Sequence, residues 1–343
     1  MSHAAQFSVV VLNWNSGAFL QRCVAALRAQ TDRAFELICV DNGSTDGSAE
    51  WLRTADLAAL AGAPARVMRL PRNCGFAAGM NAGLRAATGA WLVPLNVDVV
   101  LAPDFLAEAR AFFARHPQAG AAGATVCKYT DQPTNVILAS GMWLTRHFSV
   151  ATSTRAAGVE APVFGPNGCC PVFARAALVA TQLEPARTGA ALPQYFDEVY
   201  FAYGEDVDLY MRLALAGYPC IYSPRLRAWH AHSGTQAGVR LFEKDNATLA
   251  RVAANQVFTW LKNSPPRLLL ACAPWVAATI PGMCLRLLRR QPWRALAPLR
   301  AYGRILRLLP RTLRLRRRLQ HQRVCTSAPF FAMLIHNQCR QNP

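Results

Sequence analysis

Short runs of β-branched and apolar residues alternate with segments of helical periodicity through the first third of the chain. Residues 7–12 read Phe-Ser-Val-Val-Val-Leu, and apolar residues from Phe19 to Leu27 then recur at helical spacing. The later pairs are predicted as strand Phe35–Val40 and helix Ser48–Leu60, strand Arg66–Leu70 and helix Ala77–Ala87, and strand Trp91–Leu95 and helix Phe105–Arg115. This alternation predicts an α/β fold with a mostly parallel sheet and helices on both faces.

Asn or Asp follows each of the four predicted strands. Ligands of open α/β sheets bind beyond the carboxyl ends of the strands, so these side chains are candidates to hold one. The same residue types form turns and helix N-caps, which leaves Ser44, Thr45 and Gly47 with either role. A Gly-x-Gly-x-x-Gly sequence is absent, and this favours a mononucleotide over a dinucleotide. The residues concerned are Asn13 and Asn15, Asp41, Asn73 and Gly75, and Asn96 and Asp98.

Asp98 is a candidate metal ligand. It lies between the predicted strand Trp91–Leu95 and the apolar residues 99–101, where a carboxylate is costly unless a cation or hydrogen-bond donors satisfy it. Divalent ions bound to nucleotides take oxygen ligands from one or two carboxylates and from the phosphates. The alternative is a turn carboxylate with a structural role.

Glu205 and Asp206 are candidates for acid–base chemistry. They precede a predicted helix that ends at Gly217, so they either complement the helix dipole or provide a general base. His230 and His232 follow a predicted short strand, Pro219–Tyr222, and its loop. A metal or phosphate role and a structural role both remain open for these imidazoles.

Five ordered motifs give the chain a family resemblance. The motifs are residues 11–15 (Val-Leu-Asn-Trp-Asn), 40–48 (Val-Asp-Asn-Gly-Ser-Thr-Asp-Gly-Ser), 73–83 (Asn-x-Gly-Phe-Ala-Ala-Gly-x-Asn-x-Gly), 95–98 (Leu-Asn-Val-Asp) and 204–209 (Gly-Glu-Asp-Val-Asp-Leu). They resemble family 2 inverting glycosyltransferases, and within that family the bacterial rhamnosyltransferase branch. The resemblance covers about residues 7–260.

The resemblance implies a glycosyltransferase A fold and a role for each motif. Asp206, with Glu205 beside it, matches the general base, and Asp98 with His230 of the His230-x-x-Ser233 pattern matches the site of Mg²⁺ or Mn²⁺ on the diphosphate. Gly168 and Cys169 would line the acceptor side. The expected nucleotide-sugar contacts are Asn13, Asn15, Asp41, Asn73, Gly75, Asn81 and Asn96.

The expected reaction is transfer of L-rhamnose from dTDP-rhamnose to a hydroxyl of a lipid-linked or cell-envelope glycan. The family motif Asp-x-Asp reads Asn96-Val97-Asp98 here, and the branch commonly has Pro where this chain has Val97. A UDP-hexose donor is the alternative that keeps the same fold. A sugar-nucleotide binder without catalytic activity is a further one, although Asp98 and Asp206 speak against it.

The C-terminal part of the chain is strongly basic. Residues 246–343 contain 17 Lys and Arg and no Asp or Glu, and the net charge of the chain is +18. We therefore predict a transferase domain over 1–260 and a helical, basic, membrane-associating extension over 261–343. A nucleic-acid-binding protein is the alternative, but leucines outnumber aromatic residues in this region, so no nucleic-acid partner is expected.

The extension is expected to lie on a membrane surface rather than cross it. The uncharged run Leu268–Leu285 has 18 residues, the lower limit for a span, and contains two prolines. Farther on, Arg300, Arg304, Arg307 and Arg311 share one helical face opposite apolar residues, and Pro310 is predicted to interrupt this helix. The expected partner is the anionic inner membrane.

Two further features favour a cytoplasmic location. Eleven cysteines without a Cys-x-x-Cys pair fit neither a disulfide framework nor a zinc ribbon. The first residues also lack the basic and apolar regions of a signal peptide. We therefore expect a cytoplasmic protein that is peripheral on the inner face of the cell membrane.

Overall fold

The protein folds into two compact units in a computed structural model that describes residues 6–155, 157–183, 192–231 and 241–325. The first unit comprises Met1–Met142, Thr152–Phe201 and Tyr218–Ala237. The second comprises Trp143–Ala151, Ala202–Gly217 and Gly238–Pro343. The predicted boundary at residue 260 falls inside a helix of the second unit.

The first unit is built on a ten-stranded sheet. Its strands are β1 Phe7–Asn13, β2 Phe35–Asp41, β3 Ala65–Arg69, β4 Trp91–Asn96, β5 Val99–Leu101, β6 Ala121–Tyr129, β7 Pro133–Ala139, β10 Ala161–Val163, β11 Val172–Ala174 and β12 Cys220–His230. Their order in the sheet is β10-β12-β6-β11-β4-β1-β2-β3, with β5 also paired to β12 and β7 to β6. Neighbours among β1 to β4 are parallel, as are β6 and β12, whereas the pairs of β5, β7, β10 and β11 are antiparallel.

The parallel strands form the centre of this unit. Almost every residue of β1 and β2 is buried, as expected for strands covered on both faces. The register pairs Asn13 with Asp41 and Leu12 with Asn96, so the carboxyl ends of β1, β2 and β4 meet at one edge. The helices of this unit are α1 Phe19–Arg28, α2 Ser48–Thr54, α3 Leu57–Ala61, α4 Phe76–Ala86, α5 Phe105–Arg115 and α6 Arg175–Thr181.

Two sequence predictions for this unit need correction. The single helix predicted over Ser48–Leu60 is two helices, because the Asp56 carboxylate caps α3 by accepting a bond from the Ala59 amide at 3.1 Å. The short strand predicted over Pro219–Tyr222 is β12, which continues to His230. Its register shifts between Tyr222 and Arg227, where Pro224 cannot donate to the ladder.

The second unit is mostly helical. A two-stranded hairpin, β8 Met142–Leu144 and β9 Val150–Thr152, precedes its helices. The sequence predicts that Pro310 interrupts the last helix, but the helix continues through this residue. Buried Leu315 and Leu319, and bonds from Arg316 to the carbonyls of Leu261 and Ser264, hold the part of the helix that follows the proline. The helices are α7 Glu205–Leu215, α8 Asn246–Asn263, α9 Pro266–Ala277, α10 Thr279–Arg290 and α11 Arg300–His321.

Consecutive α9 and α10 form the one helical stretch, within the described part of the chain, that is long and apolar enough to cross a membrane. It spans Pro266–Arg290, and its most apolar window has a mean hydropathy of 1.8. A third of that window is buried inside the protein, and core helices of soluble proteins pass the same test.

Candidate active site

The ends of β1 and β2 carry a buried polar cluster. The Asn13 amide donates to Asp41 Oδ1 at 2.9 Å and to the hydroxyls of Ser44 and Ser48 at 3.0 Å. Asn13 is fully buried and Asp41 is nearly so. These bonds orient Asp41 and the serine-rich loop, and the nucleotide contact predicted for Asn13 stays a prediction.

Asn15 links the loops that follow β1 and β2. Its side-chain Oδ1 accepts a hydrogen bond from the Thr45 backbone amide at 2.7 Å, and its backbone amide donates to Ser44 Oγ at 3.1 Å. Its φ of 49° lies in the left-handed region, which Asn tolerates better than most residues. The Gly17 amide adds a bond to Asp46 Oδ2 at 2.8 Å. The two loops are therefore held together at the edge where a nucleotide is expected.

Asn73 and Gly75 form a tight turn against the second loop. Asn73 Oδ1 accepts bonds from the Gly75 amide at 2.8 Å and from the Asn42 side chain at 3.1 Å, and Asn42 Oδ1 accepts the Cys74 amide at 2.9 Å. Gly75 has a φ of 87°, and a Cβ there would lie 2.6 Å from the Phe201 ring. Glycine is thus required on conformational and steric grounds.

Asn81 has a structural position. Its Nδ2 donates to the Phe196 carbonyl at 2.8 Å and to Glu198 Oε1 at 3.0 Å, while its Oδ1 accepts the Phe196 amide at 2.9 Å. The side chain is fully buried. These bonds fasten α4 to residues 195–198, and the nucleotide contact predicted for Asn81 stays a prediction.

Asp98 and His230 are brought together although they are far apart in the chain. His230 Nε2 lies 3.0 Å from Asp98 Oδ1, and both side chains are buried. The pairing of β5 with β12 places them, because it aligns Val99 with His230. Asn96, at the end of β4 and two residues before Asp98, is partly exposed.

This pair fits a metal that is shared with a ligand. No group of three or more His, Cys, Asp and Glu side chains in the described ranges could hold a metal ion by itself. A carboxylate and an imidazole offer two ligands, and a divalent ion on a nucleotide takes the others from phosphate oxygens and water. The arrangement therefore suits a metal that arrives with the diphosphate.

Gly168 and Cys169 lie in a turn beside the end of β4. The Cys169 carbonyl accepts the Asn96 amide at 2.8 Å, and its own amide donates to Asn167 Oδ1 at 3.1 Å. Cys169 and Cys170 are buried with their sulfur atoms 3.7 Å apart. The hydrogen bond with Cys170 and burial raise the pKa of the Cys169 thiol, so it is no nucleophile.

In the second unit, the candidate base lies at the start of α7 after an unusual turn. Tyr203 has a φ of 73° and Gly204 one of 89°. The Asn255 side chain donates to the carbonyls of Ala202 at 3.3 Å and Tyr203 at 2.8 Å, and Lys244 Nζ donates to the Tyr203 hydroxyl at 2.9 Å. Non-glycine residues in this conformation are strained, and such strain is concentrated at functional sites.

Glu205 and Asp206 differ in their surroundings, since Glu205 is buried and Asp206 is partly exposed. Burial, and then the charge of Asp206, raises the pKa of Glu205 to about 8. Burial also raises the pKa of Asp206, but that carboxyl is partly exposed and accepts the Val207 amide at 2.8 Å. Two adjacent carboxyls whose environments separate their pKa values are typical of acid–base sites. With a pKa of about 8, Glu205 favours its protonated form at neutral pH. The bond from the Val207 amide favours the carboxylate form of Asp206.

Comparison with known proteins identifies the family. Residues 8–178 match the family model described as glycosyl transferase family 2. The chain belongs to glycosyl transferase family 2. It is similar to an N-acetylglucosaminyl-diphospho-decaprenol L-rhamnosyltransferase of Mycobacterium tuberculosis, with 28% identity over 256 residues that cover 66% of this chain and 76% of the relative.

Solved glycosyltransferases share the fold of this transferase. A mannosyltransferase from Pyrobaculum calidifontis, in complex with GDP-Man and Mn²⁺, superposes with a TM-score of 0.52 and 20% identity over 93% of this chain and 86% of its own. TarS of S. aureus with UDP-GlcNAc gives a TM-score of 0.52 and 15% identity over 97% and 93%. The predicted glycosyltransferase A fold, with a C-terminal helical extension, is confirmed.

A buried ion cluster in the second unit of the transferase escaped sequence analysis. Asp208 Oδ2 accepts Arg212 Nε at 3.0 Å, and its Oδ1 accepts Lys262 Nζ at 2.8 Å and the Asn263 amide at 2.7 Å. The charged side chains are almost fully buried. Asp208 belongs to the motif that contains the candidate base, but Lys262 could be found only by its position on the buried face of α8.

Part of the predicted histidine motif lies outside the described residues. Ser233 of the His230-x-x-Ser233 pattern and the neighbouring His232 both fall in the range 232–240. His230 is therefore the one imidazole of this motif whose contacts are described.

Proposed function

We propose that this glycosyltransferase moves L-rhamnose from dTDP-rhamnose to a hydroxyl of a lipid-linked or cell-envelope glycan, with inversion at the anomeric carbon. The similarity to a rhamnosyltransferase named for a diphospho-decaprenol substrate supports the sugar and the class of acceptor. The single observation that carries the chemistry is the carboxyl pair at the start of α7. In that pair, Glu205 is buried and its pKa is raised, whereas Asp206 is partly exposed.

Asp206 acts as the general base in this proposal. Its carboxylate takes the proton from the acceptor hydroxyl as the oxygen attacks the anomeric carbon. The new C–O bond forms on one face of the sugar, and the bond to the diphosphate breaks on the opposite face, releasing dTDP. General-base catalysis of this kind contributes about 10²- to 10⁴-fold. Protonated Glu205 adds no second negative charge beside the base.

The first unit holds the donor in this proposal. Asp41, oriented by Asn13, and the cross-linked loops that carry Asn15 and Asn73 offer hydrogen-bonding groups to the nucleoside. Asp98 and His230 would hold a divalent metal, Mg²⁺ or Mn²⁺, with the diphosphate. Such a metal neutralises the charge that develops on the leaving group. No carboxylic acid is then needed on the leaving-group side, in contrast to glycoside hydrolysis.

The test measures how much dTDP or UDP the purified protein releases from dTDP-rhamnose, UDP-glucose or UDP-galactose. Each donor is supplied with and without added metal. Asp206→Asn should lower turnover by about 10²- to 10⁴-fold. Asp98→Asn should raise the metal concentration needed for half-maximal rate. The matched control is Asp104→Asn, which removes an exposed carboxylate before α5.

Two results would contradict the proposal. Turnover of a UDP-hexose in preference to dTDP-rhamnose would overturn the donor and favour the alternative with the same fold. Turnover by Asp206→Asn at the rate of the control would exclude Asp206 as the base, whatever the donor.

A further inference from the structure

Helices α9 and α10 expose an apolar face. Residues buried against the rest of the second unit, such as Leu268, Cys272 and Leu287, recur at helical spacing along one side. The opposite side carries no charge from Leu268 to Leu285. On that side Leu270 is 74% exposed, and Leu285 is half exposed. This face is too apolar to be explained as an ordinary solvated surface.

The exposed apolar face continues into the segment that follows α10. Trp293 is 79% exposed, Leu296 is 72% exposed, and Leu306 of α11 is 69% exposed. Near its start, α11 thus leaves Leu306 exposed, although Leu315 and Leu319 farther along the same helix are buried. We call Leu270, Leu285, Leu288, Trp293, Leu296 and Leu306 the apolar strip.

Positive charge surrounds the apolar strip. Arg289 and Arg290 end α10, and Arg300 and Arg307 lie on α11, all of them exposed. No acidic residue occurs after Asp245. Exposed leucines and a tryptophan flanked by arginines are the composition of a helix that lies in the interface of an anionic bilayer.

We propose that the second unit docks in the plane of an anionic phospholipid bilayer through the apolar strip. Partial burial of α9 argues against a span, because Leu268 and Cys272 pack within the unit and Trp260 Nε1 donates to the Leu269 carbonyl at 3.1 Å. A nucleic acid would pair its phosphates with the arginines, but its polar phosphates and sugars would then contact the leucines of the apolar strip, which is unfavourable.

The strip is connected to the turn that precedes the candidate base. Arg294, next to Trp293, donates to Asn246 Oδ1 at 2.7 Å, to the Phe242 carbonyl at 3.1 Å and to the Lys244 carbonyl. Lys244 in turn bonds to Tyr203. If the acceptor is lipid-linked, as the proposed function has it, these contacts fix the candidate base relative to the bilayer that carries the acceptor.

The test is co-sedimentation of the full chain with vesicles of phosphatidylcholine alone or of phosphatidylcholine mixed with phosphatidylglycerol. Strong binding is expected only with the anionic lipid and should weaken at high salt. Leu270→Gln and Trp293→Ala should each lower partitioning about 10-fold, because each removes one large buried apolar group from the interface. Arg289→Gln and Arg290→Gln should lower it about fivefold each.

Leu192→Gln is the matched control, because Leu192 is 59% exposed in the first unit, and it should bind as the wild type does. Thermal unfolding checks that each variant is folded. If Trp293→Ala is not, Leu270→Gln still tests the strip. Vesicle binding requires no donor sugar, so its failure and the failure of the proposed reaction are separate results.

Three outcomes would overturn the docking proposal. One is equal binding of Leu270→Gln, Trp293→Ala and wild type to anionic vesicles. Another is a chain that stays with membranes through an alkaline wash, which indicates a span. The third is a salt-sensitive shift of DNA by a chain that ignores anionic vesicles.

Discussion

Replacing Glu205 by glutamine should remove a pH-dependent loss of stability. Glu205 has an ordinary pKa of 4.5 when unfolded and a pKa of about 8 in the folded protein, where burial and the charge of Asp206 disfavour ionisation. Between these values the folded state binds more protons than the unfolded state, so stability falls as the pH rises. The contribution is fully present below pH 4.5 and is lost by about pH 8.

The size of this effect follows from the two pKa values. One pKa unit corresponds to about 1.4 kcal/mol, so the interval from 4.5 to about 8 corresponds to roughly 5 kcal/mol. Glutamine has the same shape and carries no charge. Glu205 Oε2 also has no hydrogen-bond partner among the described residues, so the substitution breaks no bond of that atom there. We expect Glu205→Gln to be more stable than wild type at pH 8 and similar at pH 4.5.

The assay is urea unfolding of wild type and Glu205→Gln at several values between pH 4.5 and 8. Glu50→Gln is the control, because Glu50 is exposed and paired with Arg53, and it should follow the wild-type pH dependence. Equal pH dependence of Glu205→Gln and wild type would refute the reasoning, since it would mean that Glu205 ionises normally in the folded protein. In the transferase assay at pH 7, Glu205→Gln should keep most of its activity.

Two further predictions concern stability. Asp208→Asn should destabilise the protein by about 3–5 kcal/mol, because it removes the buried carboxylate that pairs with Arg212 and Lys262. Urea unfolding measures the loss of stability. A loss no larger than that caused by Asp104→Asn would contradict the prediction. Gly75→Ala should lower stability by about 1–3 kcal/mol in thermal unfolding and weaken donor binding, because Gly75 has a positive φ and a Cβ there would contact Phe201. Gly158→Ala is the control, since a Cβ at Gly158 meets nothing within 4 Å. Equal effects of the two substitutions would exclude the steric argument.

The local patterns of the sequence predicted the central strands well. The prediction for helix Phe105–Arg115 matches its observed ends. Three of the four strands before it differ from their predictions by one residue at one end, and β3 is shifted by one residue at both ends. The central strands contain uninterrupted apolar runs, and such runs predict a strand that is buried on both faces. The sequence failed where a single side chain decides the outcome. Asp56 divides a predicted helix, and the bulge near Pro224 lets β12 continue to His230.

The membership of the predicted site could be read from sequence only in part. The residues at the strand ends were identifiable because parallel strands bring their carboxyl ends to one edge. The sequence could not tell that Asn13 and Asn81 are fully buried, since both lie in motifs where an exposed amide is equally consistent with the spacing. The Lys262 contact with Asp208 depends on the packing of α8 against α7, which periodicity does not specify.

Sequence alone predicts the alternation of strands and helices, the polar residues at the strand ends and the basic, acid-free C-terminal part. These are local or periodic properties, fixed by residue type and spacing. The tertiary structure adds the 3.0 Å contact between Asp98 and His230, the burial that raises the pKa of Glu205 and the exposure of the apolar strip. Each of these depends on which groups surround a side chain and exclude water from it, and residues distant in the chain supply those groups.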